Sequence, residues 1–455
     1  MTDTIVAIST PAAPAGLGVV RLSGPEAVVV AERVFRPCDS ARALSRLAGY
    51  SAAYGHVGDG EGDIDDCVAL LFRAPHSYTG EDVVELSCHG GLYLLQRVLR
   101  ACVEAGARPA TAGEFTRRAF VNGKMDLTQA ESVMDLIAAD GRLAAKTALA
   151  AREGATYRRL QQVKESLLAV AAQFGAYIDY PDEDIPELQP AALEQTVTEA
   201  ATAVTALLAT FDAGRVLREG IDTAIVGSPN VGKSTLMNCL AGCERSIVTD
   251  IAGTTRDVVE ETVRLGDVLL RLADTAGIRD TADAVETVGV EKARRRLEQA
   301  ALVLAVFDGS RPLSDEDKAL VQQVASTTAI AIINKADKPL QIEKEWLESH
   351  FERVVTLSAK EEDGIDALIA AVAQVTGVEG LDAAQPLLTT ERQRLCAQQC
   401  LACLEEAQTA LQSGMTLDAV SVSLDGAIAA LLELTGERTT EAVVEQVFAR
   451  FCVGK

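Results

Sequence analysis

The sequence predicts a multidomain protein of α/β and α class. It has an N-terminal α+β domain, a helical domain made of two separated segments, and an α/β module inserted between those segments. Three observations predict this. Short apolar runs punctuated by Pro and Gly fill residues 1 to about 120. Proline-free stretches rich in Ala, Leu, Gln and Arg, with apolar residues at helical spacing, occupy 127–176 and return after about Pro386. Between them, from Gly220 to about Val378, compact apolar runs alternate with helical patterns, and each run ends in a polar motif. Buried parallel strands with ligand loops at their C-terminal ends have this pattern. The boundaries fall at 1–121, 122–219, 220–378 and 379–455. Insertion is natural because the two ends of a compact domain often lie close together.

Composition bounds the function. The 455 residues leave room for about three domains, and 48% are hydrophobic. A net charge of −24 repels phosphodiester backbones and argues against a general nucleic-acid binder, although a local basic patch would be hidden in the sum. Aromatics at 4% disfavour a base-stacking platform. Ten cysteines without framework spacing are expected to be mostly free, in a reducing cytoplasm. No basic residue precedes the first apolar stretch, so a signal peptide is not expected. No run of about 18 apolar residues predicts a membrane span.

In the N-terminal region, strands are expected at 5–8, 18–22 and 83–86, separated by Pro11, Pro14, Gly24–Pro25 and Gly90–Gly91. Tyr180 to Asp184 interrupts the helical texture, and its acidic run 182–184 reads as a solvated loop rather than a metal site. In the module, strands are expected at 223–226, 269–272, 302–307, 330–333 and 354–357. Arg294–Arg296 reads as an exposed helix face that can also serve dimerisation.

The module's motifs carry the chemistry. Gly227 to Ser234 fits GxxxxGK[ST], following a strand and opening a helix. Its glycines let backbone N–H groups wrap phosphates, and the helix N-terminus adds positive potential. Asn230, Val231, Gly232, Lys233, Ser234 and Thr235 are the expected phosphate shell, with Lys233 on the β/γ-phosphates and Ser234 on Mg²⁺. Asp274, Thr275, Ala276 and Gly277 form DxxG: Asp274 holds the Mg²⁺ shell through water and the Gly277 N–H meets the γ-phosphate. Asn334, Lys335 and Asp337 form NKxD, where the Asp337 carboxylate accepts from the ring N–H and exocyclic amine of guanine. Adenine lacks that donor pair, so GTP is preferred. Ser358, Ala359 and Lys360 brace the base. Four motifs in order at strand ends predict a Ras-like P-loop GTPase domain.

The hydrolytic step is less determined by residue type. Where many small GTPases place a water-orienting glutamine stands Ile278. Arg256 and Arg279 are candidates for an arginine finger or for surface ion pairs. Glu286 either orients the attacking water or is a solvated switch glutamate. Asn230 together with the segment 249–257 resembles the potassium-activated GTPases. That resemblance implies K⁺ ligands from Asn230 and the carbonyls of Thr249 and Ile251, with Thr254 completing the loop. Thr255 would meet Mg²⁺ and the γ-phosphate. A monovalent cation beside the phosphates offsets transition-state charge.

Beyond the module, the chain resembles the MnmE (TrmE) family of tRNA-modification GTPases over essentially its whole length. The resemblance rests on Gly18–Pro25, Ser77–Leu86, His89–Gly91, Gly113–Leu127, Leu217–Gly220, Asp250–Asp257 and the tail Phe451–Lys455. It implies a folate-binding-like N-terminal domain that forms a homodimer, and a heterocomplex with a second, FAD-containing protein, MnmG. Together they would place an aminomethyl or carboxymethylaminomethyl group on carbon 5 of the tRNA wobble uridine. The implied one-carbon source is 5-formyl- or 5,10-methylene-tetrahydrofolate. By matched position, Arg21, Glu85, Lys124 and Lys455 would contact the folate, and Cys452 would be functionally required as nucleophile, folate neighbour or structural residue. The family's Gly/Arg-rich loop is glycine-poorer here, at 11–18. The resemblance implies a cytoplasmic protein with no membrane role. A ribosome-assembly switch and a membrane-remodelling GTPase are the competing readings. No appended RNA-binding module supports the first, and no lipid anchor the second.

Overall fold

The computed structural model describes residues 3–179, 190–243, 261–272 and 300–455. Packing divides the chain into two compact units, Met1–Met134 with Ile428–Lys455, and Asp135–Ala427.

The first unit is built on seven strands: β1 (Ile5–Ile8), β2 (Ala15–Ser23), β3 (Phe35–Pro37), β4 (Ser51–Asp59), β5 (Gly62–Phe72), β6 (Val83–Gly90) and β7 (Arg108–Pro109). Their order is β3-β4-β5-β6-β2-β1-β7. The β1–β7 pair is parallel and the others are antiparallel. Antiparallel sheets bury one face and alternate in-out along each strand. Here Val20 and Leu22 of β2 and Val84 and Leu86 of β6 point into a core closed by helices Ala27–Val34 and Leu92–Glu104. In the second helix Leu95, Val98, Ala101 and Cys102 recur at helical spacing and are buried. The C-terminal helix Glu441–Phe448 and Phe451 pack on Leu127, Ala130 and Val133, so the last residues are fixed against this unit.

The second unit holds a six-stranded sheet of β8 (Ile221–Val226), β9 (Glu261–Leu265), β10 (Val268–Leu272), β11 (Leu302–Asp308), β12 (Ala329–Asn334) and β13 (Arg353–Thr356). The order is β13-β12-β11-β8-β10-β9, with only β9 antiparallel to its neighbour. All seven residues of β11 are buried, as a central parallel strand covered on both faces requires. From β8 the chain goes out to β9 and β10 on one side and then crosses to β11 on the other. Such a reversal opens a crevice at the C-terminal strand ends, where ligands of open α/β sheets bind. Helix Pro190–Leu208 lies against Glu391–Gln412, with Gln408 Nε2 donating to Thr198 Oγ1 at 3.1 Å. Both chain connections of the sheet module meet one carboxylate. Arg218 Nε donates to Asp135 Oδ1 at 2.7 Å, and Thr389 Oγ1 donates to Asp135 Oδ2 at 3.1 Å.

The expected strands lie within β1, β2, β6, β8, β10, β11 and β12. The expected 354–357 falls one residue earlier, at 353–356, with Leu357 just beyond. The expected long helices over 127–176 are three, Leu127–Ala138, Arg142–Arg152 and Ala155–Asp179. Gly154, at φ 86°, turns the chain between the last two. The nine cysteines whose side chains are described are free. One described stretch, Ala191–Glu219, is long and apolar enough by length and composition to cross a membrane, and half of that apolar window is buried inside the protein. The run 180–184 and Arg294–Arg296 lie outside the described residues.

Candidate functional site

The loop after β8 is shaped by residues that tolerate left-handed backbone. Gly227 (φ 158°) approaches β11 so closely that a Cβ would lie 2.4 Å from the Val306 carbonyl. Asn230 adopts φ 63°, a conformation Asn enters more readily than most residues. Gly232 (φ 98°) passes Asn334 so closely that a Cβ would meet its Nδ2 at 2.4 Å. Helix Lys233–Cys243 then starts, and its first-turn N–H groups have no intrahelical acceptor. Lys233 curls back over the loop, donating to the carbonyls of Gly227 at 2.8 Å and Ser228 at 2.9 Å. Burial pushes its ammonium below the ordinary lysine range. No carboxylate among the described residues pairs with it, so this half-buried cation fits an anionic ligand.

The base motif stands beside this loop at the end of β12. Asn334 is buried and satisfied at both ends: Nδ2 donates to the Val231 carbonyl at 2.9 Å, and Oδ1 accepts from the Ala359 N–H at 3.0 Å. It thus ties the phosphate loop to the segment 358–360. Lys335, at φ 67°, donates to the Asn230 carbonyl at 2.7 Å and to Asp308 Oδ2 at 2.6 Å. Burial works to raise the Asp308 pKa, but hydrogen bonds from Lys335 and Ser310 hold it at about 2. Asp337 is exposed, and Ser358 Oγ donates to its Oδ1 at 2.8 Å. That hydrogen bond keeps the carboxyl below its ordinary range, so it stays an acceptor-only anion. Ser358 and Ala359 are buried, while the Lys360 ammonium pairs with Glu361 at 2.7 Å. Ser234 and Thr235 are exposed on the first helical turn.

In the first unit, Arg21 and Glu85 are register partners on β2 and β6. Their side chains bond at 2.8 Å. The Arg21 guanidinium also donates to the Gly454 carbonyl at 3.3 Å and lies 5.6 and 5.9 Å from the ring centres of Phe115 and Tyr78. No described residue donates to the second Glu85 oxygen, which leaves it for a ligand's N–H. The tail reaches Arg21 because Gly454 (φ 101°) runs against β1, where a Cβ would lie 2.5 Å from the Ile8 carbonyl. Ser9 Oγ holds the same Gly454 carbonyl at 3.2 Å, and the Phe115 N–H holds the Lys455 carbonyl at 3.2 Å. The exposed Cys452 accepts the Gly113 N–H on its carbonyl at 3.4 Å. Lys124 donates to the Pro75 carbonyl at 3.0 Å, on the loop that carries Tyr78.

The structure therefore gathers Asn230, Val231, Gly232, Lys233, Asn334, Lys335, Asp337, Ser358 and Ala359 at one edge of one sheet. It gathers Arg21, Glu85, Cys452 and Lys455 around the tail of the other unit. Thr249, Ile251, Thr254, Thr255, Arg256, Asp274, Thr275, Ala276, Gly277, Ile278, Arg279 and Glu286 lie outside the described residues. Two residues escaped the sequence reading. Asp308 anchors Lys335, and Asp317, 2% exposed, accepts from Ser228 Oγ at 2.7 Å. Asp308-Gly309-Ser310 at a strand end was the available signal for the first. Ser314-x-x-Asp317, the spacing of a helix capping box, marked the second as a cap but not as the partner of Ser228.

Comparison with known proteins bears on both sites. A family model described as MnmE helical domain matches residues 127–452, and one described as GTP-binding protein TrmE N-terminus matches residues 4–124. The chain belongs to the MnmE family. Relatives named tRNA modification GTPase MnmE run the full length of the chain. The one from Symbiobacterium thermophilum is 43% identical over 100% of this chain and 99% of its own. That from Lactiplantibacillus plantarum is 40% identical over 100% and 98%. That from Nostoc sp. is 39% identical over 100% of both. A solved structure, the FeoB G-domain from Methanococcus jannaschii, is 23% identical over 34% of this chain and 98% of its own, at a TM-score of 0.25. As a member of the MnmE family the chain is a multidomain GTP hydrolase.

Proposed function

We propose that this protein is a potassium-stimulated GTPase that gates modification of the tRNA wobble uridine. A cytoplasmic homodimer would work with the flavin-dependent partner MnmG and take its one-carbon unit from 5-formyl- or 5,10-methylene-tetrahydrofolate. One observation carries the reading: the phosphate loop and the base motif interlock at one sheet edge, in a chain whose full-length relatives are named tRNA modification GTPases. The domain partition 1–121, 122–219, 220–378 and 379–455 belongs to this proposal.

Lys233 and the first-turn amides of its helix bind the β/γ-phosphates. Asp337 selects guanine, and Asn334 and Lys335 lock base and phosphate loops together. Ser234 and Thr255 would hold Mg²⁺, with Asp274 behind. Asn230, Thr249, Ile251 and Thr254 would hold K⁺. Both ions would supply positive charge against the phosphates. Glu286 orients water. In the first unit, Arg21, Glu85, Lys124 and Lys455 hold the folate, and Cys452 lies beside it. Hydrolysis acts through domain motion rather than by driving a bond directly.

The test is nucleoside mass spectrometry on tRNA from cells lacking this protein. The expected result is loss of the carbon-5 substituent on wobble uridines. Unchanged wobble uridines would defeat the tRNA reading and leave the GTPase assignment standing.

A further inference from the structure

A second reactive constellation lies at the β3 edge of the N-terminal sheet. Cys38 follows β3, and its N–H donates to the Tyr54 carbonyl at 3.0 Å, which fixes it beside β4. Its Sγ lies 3.6 Å from His56 Nε2. On the far side of the ring, His56 Nδ1 lies 2.9 Å from Asp66 Oδ1, the two residues being register partners on β4 and β5.

The chemistry of this chain of three groups is directional. An ionised Asp66 only accepts, so Nδ1 carries a proton, and in the neutral ring Nε2 then presents its lone pair to the thiol. A nucleophile, a base within reach and a third group orienting the base is the arrangement that activates a thiol. A metal site fits less well. Asp66 stands on the opposite ring nitrogen, and no three His, Cys, Asp or Glu side chains converge among the described residues. The surroundings are strand-borne. Asp66 also pushes the Tyr54 phenol up, and Arg36, the register partner of His56, pairs with Asp63. The Asp39 carboxylate beside Cys38 accepts from the Ala41 N–H. Cys38 is exposed, and the His56 side chain is 41% exposed, so a small reagent reaches both.

We propose that Cys38 is an activated thiol and a site of reversible modification by small disulfides. In the step, the Cys38 proton passes to His56 Nε2 and Sγ attacks one sulfur of RS–SR. The new Sγ–SR bond forms as the old S–S bond breaks, and the leaving thiolate takes the proton from His56 to depart as RSH. The cysteine is oxidised and the disulfide reduced by the same two electrons.

Cys452 is the internal reference. It is the other exposed cysteine among the nine described, with no histidine at its sulfur. The full-length protein, as Cys38→Ser and Cys452→Ser variants, is reacted with 2,2′-dithiodipyridine and the released thiopyridone is followed from pH 5 to 9. At pH 6 an ordinary thiol is almost entirely protonated. With His56 Nε2 placed to take the proton as Sγ attacks, Cys38 should react roughly fivefold faster than Cys452. His56→Gln should remove that advantage and move the rise of the pH profile upward. Asp66→Asn should do so in part, and GTP hydrolysis should not change in either variant. Equal rates for the two cysteines at pH 6, or a Cys38 profile indifferent to His56→Gln, would overturn the proposal.

Discussion

Lys335 reaches out of the base motif to donate to the backbone carbonyl of Asn230 in the phosphate loop, at 2.7 Å. The same ammonium neutralises Asp308 at 2.6 Å. Lys335→Ala removes both contacts and leaves Asp308, 10% exposed at its side chain, without its cation. A hydrogen bond to a charged group contributes about 1.5–3 kcal/mol. GDP and GTP dissociation constants measured by calorimetry are therefore expected to rise about ten- to a hundredfold.

Gly232→Ala tests how tightly the phosphate loop is built. A Cβ at this left-handed position would lie 2.4 Å from Asn334 Nδ2, a side chain held at both ends. The cheapest relief is displacement of Asn334, which uncouples the loop from 358–360. Guanine nucleotide binding should fall below detection while the far-ultraviolet circular dichroism stays unchanged.

On the proposed reading, base choice rests on Asp337 as an anion. Asp337→Asn replaces one acceptor with a donor and so mismatches guanine. Xanthine carries a carbonyl in place of the amine and restores the match. Competition binding should show GTP weakened by at least about tenfold and XTP strengthened, in line with one unpaired polar group at a binding site.

Hydrolysis is expected to run faster in K⁺ than in Na⁺ at equal ionic strength. Asn230→Ala should abolish that difference while GTP binding persists, because the loop amides and Lys233 remain. Phosphate release in the two salts reads it directly, and equal wild-type rates would remove Asn230 from its proposed role.

The N-terminal unit should be sensitive to acid. Burial works against ionised Glu114, but Arg108, the Thr111 N–H and Arg118 hold its pKa at about 2, against an ordinary 4.5. With the folded value below the unfolded one, the stabilisation is whole above pH 4.5 and is lost as the pH falls toward 2. The shift corresponds to at most about 3 kcal/mol. Glu114→Gln should melt earlier at pH 7, and its melting temperature should vary less between pH 5 and 3 than that of the wild type.

Much of the nucleotide site was legible because its demands are local. Gly227 is forced by the approach of the Val306 carbonyl and Gly232 by its left-handed φ and the Asn334 side chain, and Asn334 to Asp337 sit on one strand end, so residue type and spacing carry the message. Asp135, and the Ser228 partnership of Asp317, were illegible for the opposite reason. A carboxylate is common, and its partner is decided by the pairing of elements far apart in the chain: Ser228 meets Asp317, and Arg218 meets Asp135. The tail was legible only as a motif. That Gly454 would present its carbonyl to Arg21 depends on the chain closing back on β1. The helical texture over 127–176 concealed two breaks, since one glycine among alanines barely disturbs a periodic pattern.

The carboxylate of Asp135 receives both connections of the nucleotide-binding module, one through Arg218 and the other through Thr389, 171 residues later. One carboxylate thus clasps two stretches of chain, and a single substitution, Asp135→Ala, would open both clasps at once. The Leu143 N–H on Asp267 Oδ1, at 3.2 Å, is a separate tie between helix and sheet that this substitution leaves in place.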